Sequence, residues 1–422
     1  MSELRKEISE SLVKQTASSL PQKNSNEWTN IPYKNRGVNT KASPGSKNTK
    51  QLAVKNKFQV LSVSEDADLG LTSVREHELL NKLCNQNGDT GSEFSINANN
   101  EEVLLRMSCV GICGSDVHYV QHGRIGDYIV KKPIVLGHEG AGVVIKLGPG
   151  VQNLRVGDRV AVEPSIPCRR CFYCKHGRYN LCTDMSYCAT PPDDGNLIYY
   201  YKHPSDFCYR LPDNVSFEEG ALVQPLSVGV QACRRAGVTL GSTVLITGTG
   251  PIGLVTLIVA KAMGAAKVLM TDVVAHRLET AKTFGADYTL QVFPGESVVQ
   301  QSAKICSLLT KAPDITIDCC GIESTVRLGL EATCTGGKLV IVGLGGSSMK
   351  LELGRGIFRE VDVCGVFRFC NVYPASLALV ASQKINVKAL ITHNFHLKDT
   401  IKAFETAISG DGNPIKIMIH CN

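Results

Sequence analysis

Aromatic side chains, long apolar runs and surplus charge are all scarce in this sequence. Aromatic residues make up 6% of the 422 residues, and Trp28 is the single tryptophan. The most apolar stretch, residues 244–270, is interrupted by glycines, Pro251, Lys261 and Lys267. A membrane-spanning helix needs about 20 apolar residues in succession. We therefore expect a globular protein of two or three domains with no membrane partner.

The excess of basic over acidic residues is confined to the N-terminal segment. Residues 1–57 contain 11 Lys and Arg against 4 Asp and Glu, and the totals of 45 and 39 leave 34 against 35 for the rest. A nearly neutral body offers no concentrated basic face, so we expect no nucleic-acid partner. The polar composition of residues 1–57 predicts a disordered basic tail, either a solvated extension or a docking segment.

The sequence also lacks the pattern of a secretory signal. Residues 1–20 contain Glu3, Glu7 and Glu10 and have no apolar core of about 7 to 15 residues. We therefore expect a cytoplasmic protein, because thiols stay reduced there. Its 17 cysteines are then expected to bind metal where they cluster and to act as small core residues where they are scattered.

Two patterns of secondary structure follow one another along the chain. From residue 101, short β-rich segments separated by glycines predict a partly antiparallel β domain, with strands at 102–107, 140–147 and 159–163. From residue 241, strands alternate with helices, which predicts a parallel doubly wound sheet and an α/β fold. Its expected elements are 243–247, 251–263, 267–271, 275–284, 315–319, 325–332 and 338–342. Residues 58–100 are less regular, with a strand at 58–63, a helix at 73–83 and a polar loop at 85–100.

A dinucleotide fingerprint opens the second pattern. Gly248, Gly250 and Gly253 form a GxGxxG turn between a strand and a helix, where glycines allow the turn, the approach of a pyrophosphate and close helix packing. Asp272 follows Gly253 by 19 residues, in position to bind the adenosine ribose and to repel the 2′-phosphate of NADP. NAD is therefore the expected cofactor, with Arg277 beside the adenine. A glycine turn in a flavodoxin-like domain is the alternative.

Four clustered cysteines predict a metal site. Cys168, Cys171, Cys174 and Cys182 follow a C-x2-C-x2-C-x7-C spacing. Four thiolates in a cytosolic protein complete a tetrahedral shell, which is typical of structural zinc. An iron–sulfur cluster, redox-active thiols and a nucleic-acid-binding zinc finger are the alternatives.

A second set of ligand types is dispersed. Cys113 lies in a glycine-framed turn, and His138 and Glu139 follow 25 residues later. One thiolate, one imidazole and one carboxylate leave the fourth zinc position open, which is typical of catalytic zinc. Taken singly, Cys113 is most simply a core thiol and His138 a core histidine, and only their joint placement in glycine-framed turns ahead of the dinucleotide fingerprint favours the metal site.

Eight motifs are spread over residues 101–422: GICGSDVH, KKPIVLGHE, GDRVAVEP, GRYNLC, CATPPDDGNL, PLSVGVQACRRAGV, GTGPIG and VFRFCN. They give this part of the chain a resemblance to the sorbitol dehydrogenases, zinc-dependent polyol dehydrogenases of the medium-chain dehydrogenase/reductase family. The resemblance implies a GroES-like catalytic domain at 58–228 and 370–422, a Rossmann domain at 229–369 and a homotetramer. It also implies interconversion of sorbitol-type polyols and 2-ketoses with NAD.

The resemblance assigns roles to individual residues. Cys113, His138 and Glu139 would bind the catalytic zinc, so that with the four-cysteine site two zinc ions are expected per chain. The other implied roles are polyol binding by Tyr119 and Arg368, adenosine binding by Asp272 and Arg277 with Ile252 nearby, and nicotinamide contacts from Val342, Gly343 and Leu344. The expected path for the proton runs through the hydroxyl of Ser115, two residues from Cys113, and His118 is either an onward relay or a surface histidine.

The sequence departs from the family pattern in three places. Gln224 stands where the family has a glutamate beside the zinc site, and Phe369 stands where it has a tyrosine of the substrate site. Residues 58–100 do not match the expected opening of the catalytic domain. These departures leave open a catalytically weakened or inactive relative that acts as an NAD-binding or interaction protein. A zinc-free member similar to quinone reductases is a third interpretation.

Overall fold

The structure is a computed structural model in which residues 101–346 and 348–421 are described. The tail expected at 1–57 and the strand, helix and loop expected within 58–100 lie outside these residues. No helix in the part described is long and apolar enough to cross a membrane.

The elements are numbered here in chain order within the described residues. The strands are β1 Glu102–Gly111, β2 Arg124–Ile125, β3 Tyr128–Ile129, β4 Glu139–Leu147, β5 Arg159–Val162, β6 Ser165–Ile166, β7 Ser186–Tyr187, β8 Tyr200–Pro204, β9 Cys208–Arg210, β10 Thr243–Thr247, β11 Lys267–Asp272, β12 Tyr288–Gln291, β13 Ile315–Asp318, β14 Lys338–Ile341, β15 Asp362–Gly365, β16 Ile391–His396 and β17 Lys416–His420. The α-helices are α1 Gly114–His122, α2 Phe172–Lys175, α3 Phe217–Ala236, α4 Pro251–Ala262, α5 Ala275–Thr283, α6 Val298–Leu309, α7 Glu323–Ala332, α8 Leu353–Ile357, α9 Tyr373–Ala381 and α10 Thr400–Ser409.

A mainly antiparallel sheet holds the N-terminal half of the described chain and its last two strands. Its order is β16-β17-β1-β4-β5-β9, with β8 also paired to β1. The strands expected at 102–107, 140–147 and 159–163 are confirmed as β1, β4 and β5. β1 continues to Gly111 because it gains a second partner there, with Cys109 opposite His420 and Gly111 opposite Met418 on β17. The end of the chain thus returns to the first described strand.

The second sheet is parallel, in the order β12-β11-β10-β13-β14-β15. Strand order reverses at β10, so the crevice beyond its carboxyl end is the site where such sheets bind ligands. The seven elements expected from 243 to 342 are confirmed, each with bounds within about two residues. The sequence reading missed β12, α6 and β15. β12 and β15 are the edge strands of this sheet and are only partly buried, so they lack the apolar run that identifies the equally short β13 and β14.

Helix α3 packs against both sheets. Its N-terminus is fixed by a capping box, in which Ser216 Oγ accepts a hydrogen bond from the Glu219 N–H while the Glu219 carboxylate accepts one from the Ser216 N–H at 2.8 Å. Its buried face, including Leu222 and Leu226, belongs to one hydrophobic core that also contains Val255 of α4. Because 13 of its 20 residues are buried, α3 joins the two sheets into one packed body.

A buried acid follows β5 at the base of the cysteine-rich segment. Glu163 is 0% exposed; its carboxylate accepts hydrogen bonds from the hydroxyls of Tyr179 at 2.6 Å and Tyr209 at 2.9 Å. Burial raises the pKa of Glu163 from 4.5 to about 7, although both hydroxyls act in the opposite direction. The folded chain therefore favours the neutral acid.

Stability is expected to depend on pH through Glu163. Since its folded pKa is raised, its stabilising contribution is complete below about pH 4.5 and is lost as pH rises through about 7. Relative to Glu163→Gln, the native chain should lose roughly 3 kcal/mol of unfolding free energy between pH 5 and pH 8, measured by urea unfolding. Exposed Glu405 supplies the control, Glu405→Gln. A Glu163→Gln difference that stays constant with pH would contradict this assignment.

Candidate functional site

The pairing of β1 with β4 gathers the dispersed ligand types. Gly111, near Cys113, lies opposite Glu139, the residue after His138. The ligand atoms of Cys113, His138 and Glu139 all lie within 4.8 Å of one another. His138 and Glu139 are 5% and 1% exposed, respectively. The register of one strand pair therefore forms a compact site with one sulfur, one nitrogen and one carboxylate.

Asp116 orients this cluster, and the sequence reading assigned it no role. Its carboxylate accepts hydrogen bonds from the N–H groups of Cys113 at 3.0 Å and Gly137 at 3.1 Å, and lies 3.4 Å from His138 Nδ1. A histidine with Nδ1 engaged in this way presents Nε2 to a metal. The position of Asp116 in GICGSD, three residues after Cys113, was the available signal.

The charges around His138 favour the protonated, positively charged form of its imidazole. Burial lowers the pKa of His138, but the Asp116 carboxylate and the Cys113 thiolate outweigh burial and raise it well above its ordinary value. At Asp116 the effects are reversed. Burial raises the pKa of its carboxyl, but His138 and the two backbone hydrogen bonds bring that pKa below its ordinary value. A cluster that attracts a proton this strongly suits a divalent cation, and its donor types fit zinc.

Lys416 is a second partner that the sequence did not suggest. Its Nζ donates to both oxygens of Glu139, at 2.8 and 2.7 Å, and to the Ile112 carbonyl at 3.0 Å. Burial lowers the pKa of Lys416, but the Glu139 and Cys113 charges raise it above its ordinary value. The ammonium fixes the Glu139 carboxylate and competes with a metal for it.

Polar side chains surround the His138 side of the cluster. The Gln224 amide donates from Nε2 to the Tyr187 hydroxyl at 3.2 Å, and the Tyr187 ring lies 6.0 Å from the His138 ring. The Arg368 guanidinium stacks on Tyr187 at 3.9 Å. Tyr119, 5% exposed, is close enough to Arg368 and His138 for both charges to act on its hydroxyl, although burial is the main cause that raises its pKa.

Tyr187 is the member of this group that sequence reasoning missed. Its signal was its position one residue before the CATPPDDGNL motif. Its hydroxyl accepts from Gln224 and its ring supports Arg368, so it orients two side chains that the sequence had singled out.

Three other expected residues occupy different environments. Ser115 lies partly exposed on α1, two residues after Cys113, whereas His118 is exposed and its ring lies 5.0 Å from His122. Phe369 is 0% exposed, and its ring packs 5.6 Å from Tyr373 within the core. The structure therefore does not bring the Phe369 side chain together with the polar group around Tyr187.

The four cysteines expected to form a closed site do come together. The sulfur atoms of Cys168, Cys171, Cys174 and Cys182 lie within 4.8 Å of one another. The N–H groups of Cys171 and Cys168 donate to sulfur atoms at 3.3 and 3.4 Å. Backbone hydrogen bonds from Arg170 and Cys171 lower the pKa of Cys168 to about 6, as suits a thiolate ligand. The donor set fits a tetrahedral metal ion.

The glycine-rich turn has the geometry that its sequence predicts. Gly248 has a φ of 90°, in the left-handed region that favours glycine. A Cβ on Gly253 would lie 1.9 Å from the Gly248 carbonyl oxygen, so only glycine permits this helix packing. The helix after it, α4, begins at Pro251 with no side-chain cap. Its free N–H groups suit an anion such as a pyrophosphate.

The remaining cofactor candidates line the carboxyl ends of the strands. Asp272 ends β11, where its carboxylate accepts from the Thr249 hydroxyl at 2.7 Å and from the Val274 N–H at 2.9 Å. Arg277 is exposed on α5, and Ile252 is partly buried in the first turn of α4. Val342, Gly343 and Leu344 follow β14, with Leu344 72% exposed.

Comparison with known proteins matches both halves of the described chain. The family described as "Alcohol dehydrogenase GroES-like domain" matches residues 99–213, and the family described as "Zinc-binding dehydrogenase" matches residues 251–382. Sorbitol dehydrogenase of Gallus gallus is 55% identical over 321 residues, which are 76% of this chain and 90% of that protein. The enzyme of Mus musculus is 56% identical over 322 residues, 76% and 89% of the two chains.

Solved structures of dehydrogenases are also similar to this chain. A zinc-binding dehydrogenase of Sinorhizobium meliloti bound to NADP has a TM-score of 0.70 at 28% identity and covers 77% of this chain and 93% of its own. An alcohol dehydrogenase of Escherichia coli complexed with NADH has a TM-score of 0.71 at 25% identity and covers 78% and 94%.

Replacing Asp116 should weaken metal binding at the Cys113 cluster. Asp116→Asn removes the charge that orients His138, and losing such a partner lowers metal affinity by about 10- to 100-fold. Zinc released to a competing chelator measures the change. The control is Asp127→Asn, at an exposed aspartate that follows helix α1, the helix that contains Asp116. This variant should release no more zinc than the native chain. Equal zinc retention by Asp116→Asn and the native chain would contradict this role.

Proposed function

The chain belongs to the sorbitol dehydrogenase family of zinc-binding dehydrogenases, and from this we propose that it interconverts a polyol such as sorbitol or xylitol and the corresponding 2-ketose with NAD. The observation that carries the proposal is the Cys113–His138–Glu139 cluster beside Arg368 and Gln224. Three protein ligands leave one zinc position for a substrate hydroxyl. The interpretation as an inactive relative gains no support from these side chains.

The surrounding residues of the chain suit a polyol. Bound zinc would lower the pKa of a substrate hydroxyl, and bound NAD would accept a hydride from the adjacent carbon. Arg368, held against the Tyr187 ring, can donate to neighbouring hydroxyls, as can the Tyr119 hydroxyl. The Gln224 amide donates through Nε2 to Tyr187, which leaves its oxygen free to accept from a substrate hydroxyl.

Proton transfer is assigned to the first turn of α1. Ser115 is partly exposed and lies two residues from Cys113, so its hydroxyl can carry a proton from the substrate towards solvent. His118, exposed one turn further along the helix, is the next acceptor.

The second zinc ion is assigned to the four cysteines. Cys168, Cys171, Cys174 and Cys182 supply a closed shell without an open position, which suits a structural ion. Arg169 of the same segment forms a half-exposed ion pair at 2.7 Å with Asp206, which lies between β8 and β9. Together with the Cys113 cluster, this accounts for the two zinc ions that the sequence predicts.

NAD is assigned to the crevice at the end of β10. The N-terminus of α4 would bind the pyrophosphate and Asp272 the ribose hydroxyls, with Gly248, Gly250, Ile252 and Gly253 forming the turn. Arg277 would flank the adenine, and Val342, Gly343 and Leu344 would line the nicotinamide side. The Asp272 charge favours NAD over NADP.

The exposed edge of the parallel sheet supports the proposed assembly of the chain. β15 lies at the edge of its sheet, with Val363 43% exposed, and nearby Ile357 and Phe358 are 71% and 92% exposed. An apolar sheet edge of this kind suits pairing with a second copy, consistent with the expected homotetramer, and sedimentation velocity measures that state. None of the 16 cysteines within the described residues forms a disulfide, which supports the proposed cytoplasmic location.

The proposal predicts NADH formation when the chain is mixed with NAD and sorbitol, xylitol or ribitol. Because Asp272 repels the 2′-phosphate, NADP should support catalysis at least about tenfold less efficiently, and Asp272→Ser should narrow that ratio. Catalytic efficiency with each cofactor measures both effects. No NADH with any of the three polyols would refute the substrate class, whereas equal efficiency with both cofactors would refute only the role of Asp272.

The rate is expected to depend on Gln224. The ligand charges of Cys113 and Glu139 neutralise Zn²⁺, and a glutamate at position 224 would add one negative charge and a proton acceptor. General acid–base groups contribute about 10² to 10⁴ in rate, so Gln224→Glu should raise kcat at least about tenfold with zinc content unchanged.

Tyr187→Phe is the matched control for that substitution. It removes the hydroxyl that contacts Gln224 but adds no acid–base group, so it should not raise kcat. A native chain that already turns over sorbitol at rates typical of enzymes, with no effect of Gln224→Glu, would show that residue 224 has no part in the reaction.

A further inference from the structure

A second cysteine–histidine–glutamate group lies outside the site described above. The ligand atoms of Cys109, Glu218 and His420 all lie within 4.8 Å of one another. Cys109 and His420 are directly opposite on the antiparallel strands β1 and β17. Glu218 comes from the first turn of α3. Three elements that are far apart in sequence thus direct one thiol, one imidazole and one carboxylate to a single point.

The hydrogen bonds of His420 prepare it as a ligand. Its Nε2 lies 2.9 Å from the Asn394 side-chain oxygen, and its Nδ1 lies 3.5 Å from Cys109 Sγ. An amide oxygen only accepts, so Nε2 carries the hydrogen and Nδ1 presents its lone pair to the sulfur. Metal-binding histidines are oriented in this way by an acceptor on the other ring nitrogen.

The spacing of the donor atoms suits zinc. With Zn–S near 2.3 Å and Zn–N near 2.05 Å, a tetrahedral ion separates its sulfur and nitrogen ligands by about 3.6 Å. The observed distance between Cys109 Sγ and His420 Nδ1 is 3.5 Å. The donor types are also those of the Cys113 cluster. Together they favour zinc over the harder ions Mg²⁺ and Ca²⁺, which prefer oxygen ligands.

Two features of the chain compete with the metal. Burial, with a smaller effect of Glu218, raises the pKa of the Cys109 thiol to about 12, so without a metal the thiol donates its hydrogen to His420. The Lys388 ammonium lies 3.7 Å from the Glu218 carboxylate. That contact is long, and the Lys388 side chain is 54% exposed, so it contributes little and is readily replaced.

We propose that Cys109, Glu218 and His420 bind a third zinc ion, distinct from the ions of the Cys113 and Cys168 clusters. Its three ligands leave one position for water, since Glu218 and His420 are only partly buried. The site joins β1, β17 and α3, the elements that carry or precede Cys113, Lys416 and Gln224. Each ligand lies four to six residues from one of those groups, so the ion stabilises the framework of the active site.

Zinc stoichiometry of the full-length chain tests the proposal. After saturation with zinc and removal of loosely held metal, elemental analysis should give three ions per native chain and two for Cys109→Ser or His420→Gln. Cys421→Ser, at a buried neighbouring thiol outside the cluster, should keep three. Cys174→Ser should also lose one ion, and the double variant Cys109→Ser with Cys174→Ser should keep one.

The comparison of native chain and Cys109→Ser is decisive. Equal zinc content in the two proteins would overturn the proposal. Loss of an ion in Cys421→Ser as well would attribute the effect to general disruption of the core, which also overturns it. Because these readouts count metal ions, their outcome is independent of whether the chain oxidises polyols.

The Lys388→Gln variant is expected to bind the metal more tightly than the native chain, and misfolding would not produce that result. Removing this positive charge beside Glu218 should tighten the ion that depends on Cys109 by about two- to fivefold. Titration with Co²⁺ measures the affinity through the thiolate-to-metal absorption that Cys109→Ser lacks. Weaker binding by Lys388→Gln than by the native chain would contradict ligation by Glu218.

Discussion

The buried ion pair of Lys416 and Glu139 links the last strand of the chain to its candidate catalytic centre. The two side chains are 3% and 1% exposed, with a closest contact of 2.7 Å. Neither charge could be buried alone, because removing one partner leaves the other uncompensated at a cost of about 3 to 5 kcal/mol. β17 must therefore pair with β1, and this pairing also brings His420 to Cys109. The pairing of β17 with β1 is therefore a condition for the site that Cys113, His138 and Glu139 form.

Helix α3 has the corresponding role between the two sheets. Its N-terminal turn carries Glu218 beside the antiparallel sheet, and Gln224 lies nearly two turns further along. Its far half packs on α4, which begins at the dinucleotide turn. A helix that is closely packed along most of its length cannot move independently of the elements it contacts, so it fixes their relative positions. The metal cluster, the polar group around Tyr187 and the cofactor crevice are therefore held in one frame.

Two residues depart from the family pattern at positions that the resemblance assigns to the site. Gln224 and Phe369 look, in the sequence, like the loss of two polar groups. In the structure, Gln224 contacts the hydroxyl of Tyr187, whereas Phe369 fills core space beside Tyr373. The first change therefore alters the charge and hydrogen bonding of the site, and the second is accommodated as packing. Both side chains are buried, but Gln224 contacts a polar group and Phe369 contacts the core. The effect of each substitution can therefore be judged only from the residues around it.

The sequence by itself determined the alternation of strand and helix from β10 to α5 and from β13 to β14, together with the dinucleotide turn, because these depend on local period or short spacing. It also suggested both ligand sets, the Cys168 set from its close spacing and the dispersed Cys113 set from its glycine-framed turns and the family resemblance. It missed β12 and β15, which are partly exposed edge strands without the apolar run of the equally short β13 and β14. Only the tertiary structure decided that Lys416 holds Glu139, that Tyr187 contacts Gln224 and that Cys109 faces His420. These partners are separated by 277, 37 and 311 residues. Strand register and helix packing bring them together, and no local pattern records which distant side chain lies opposite.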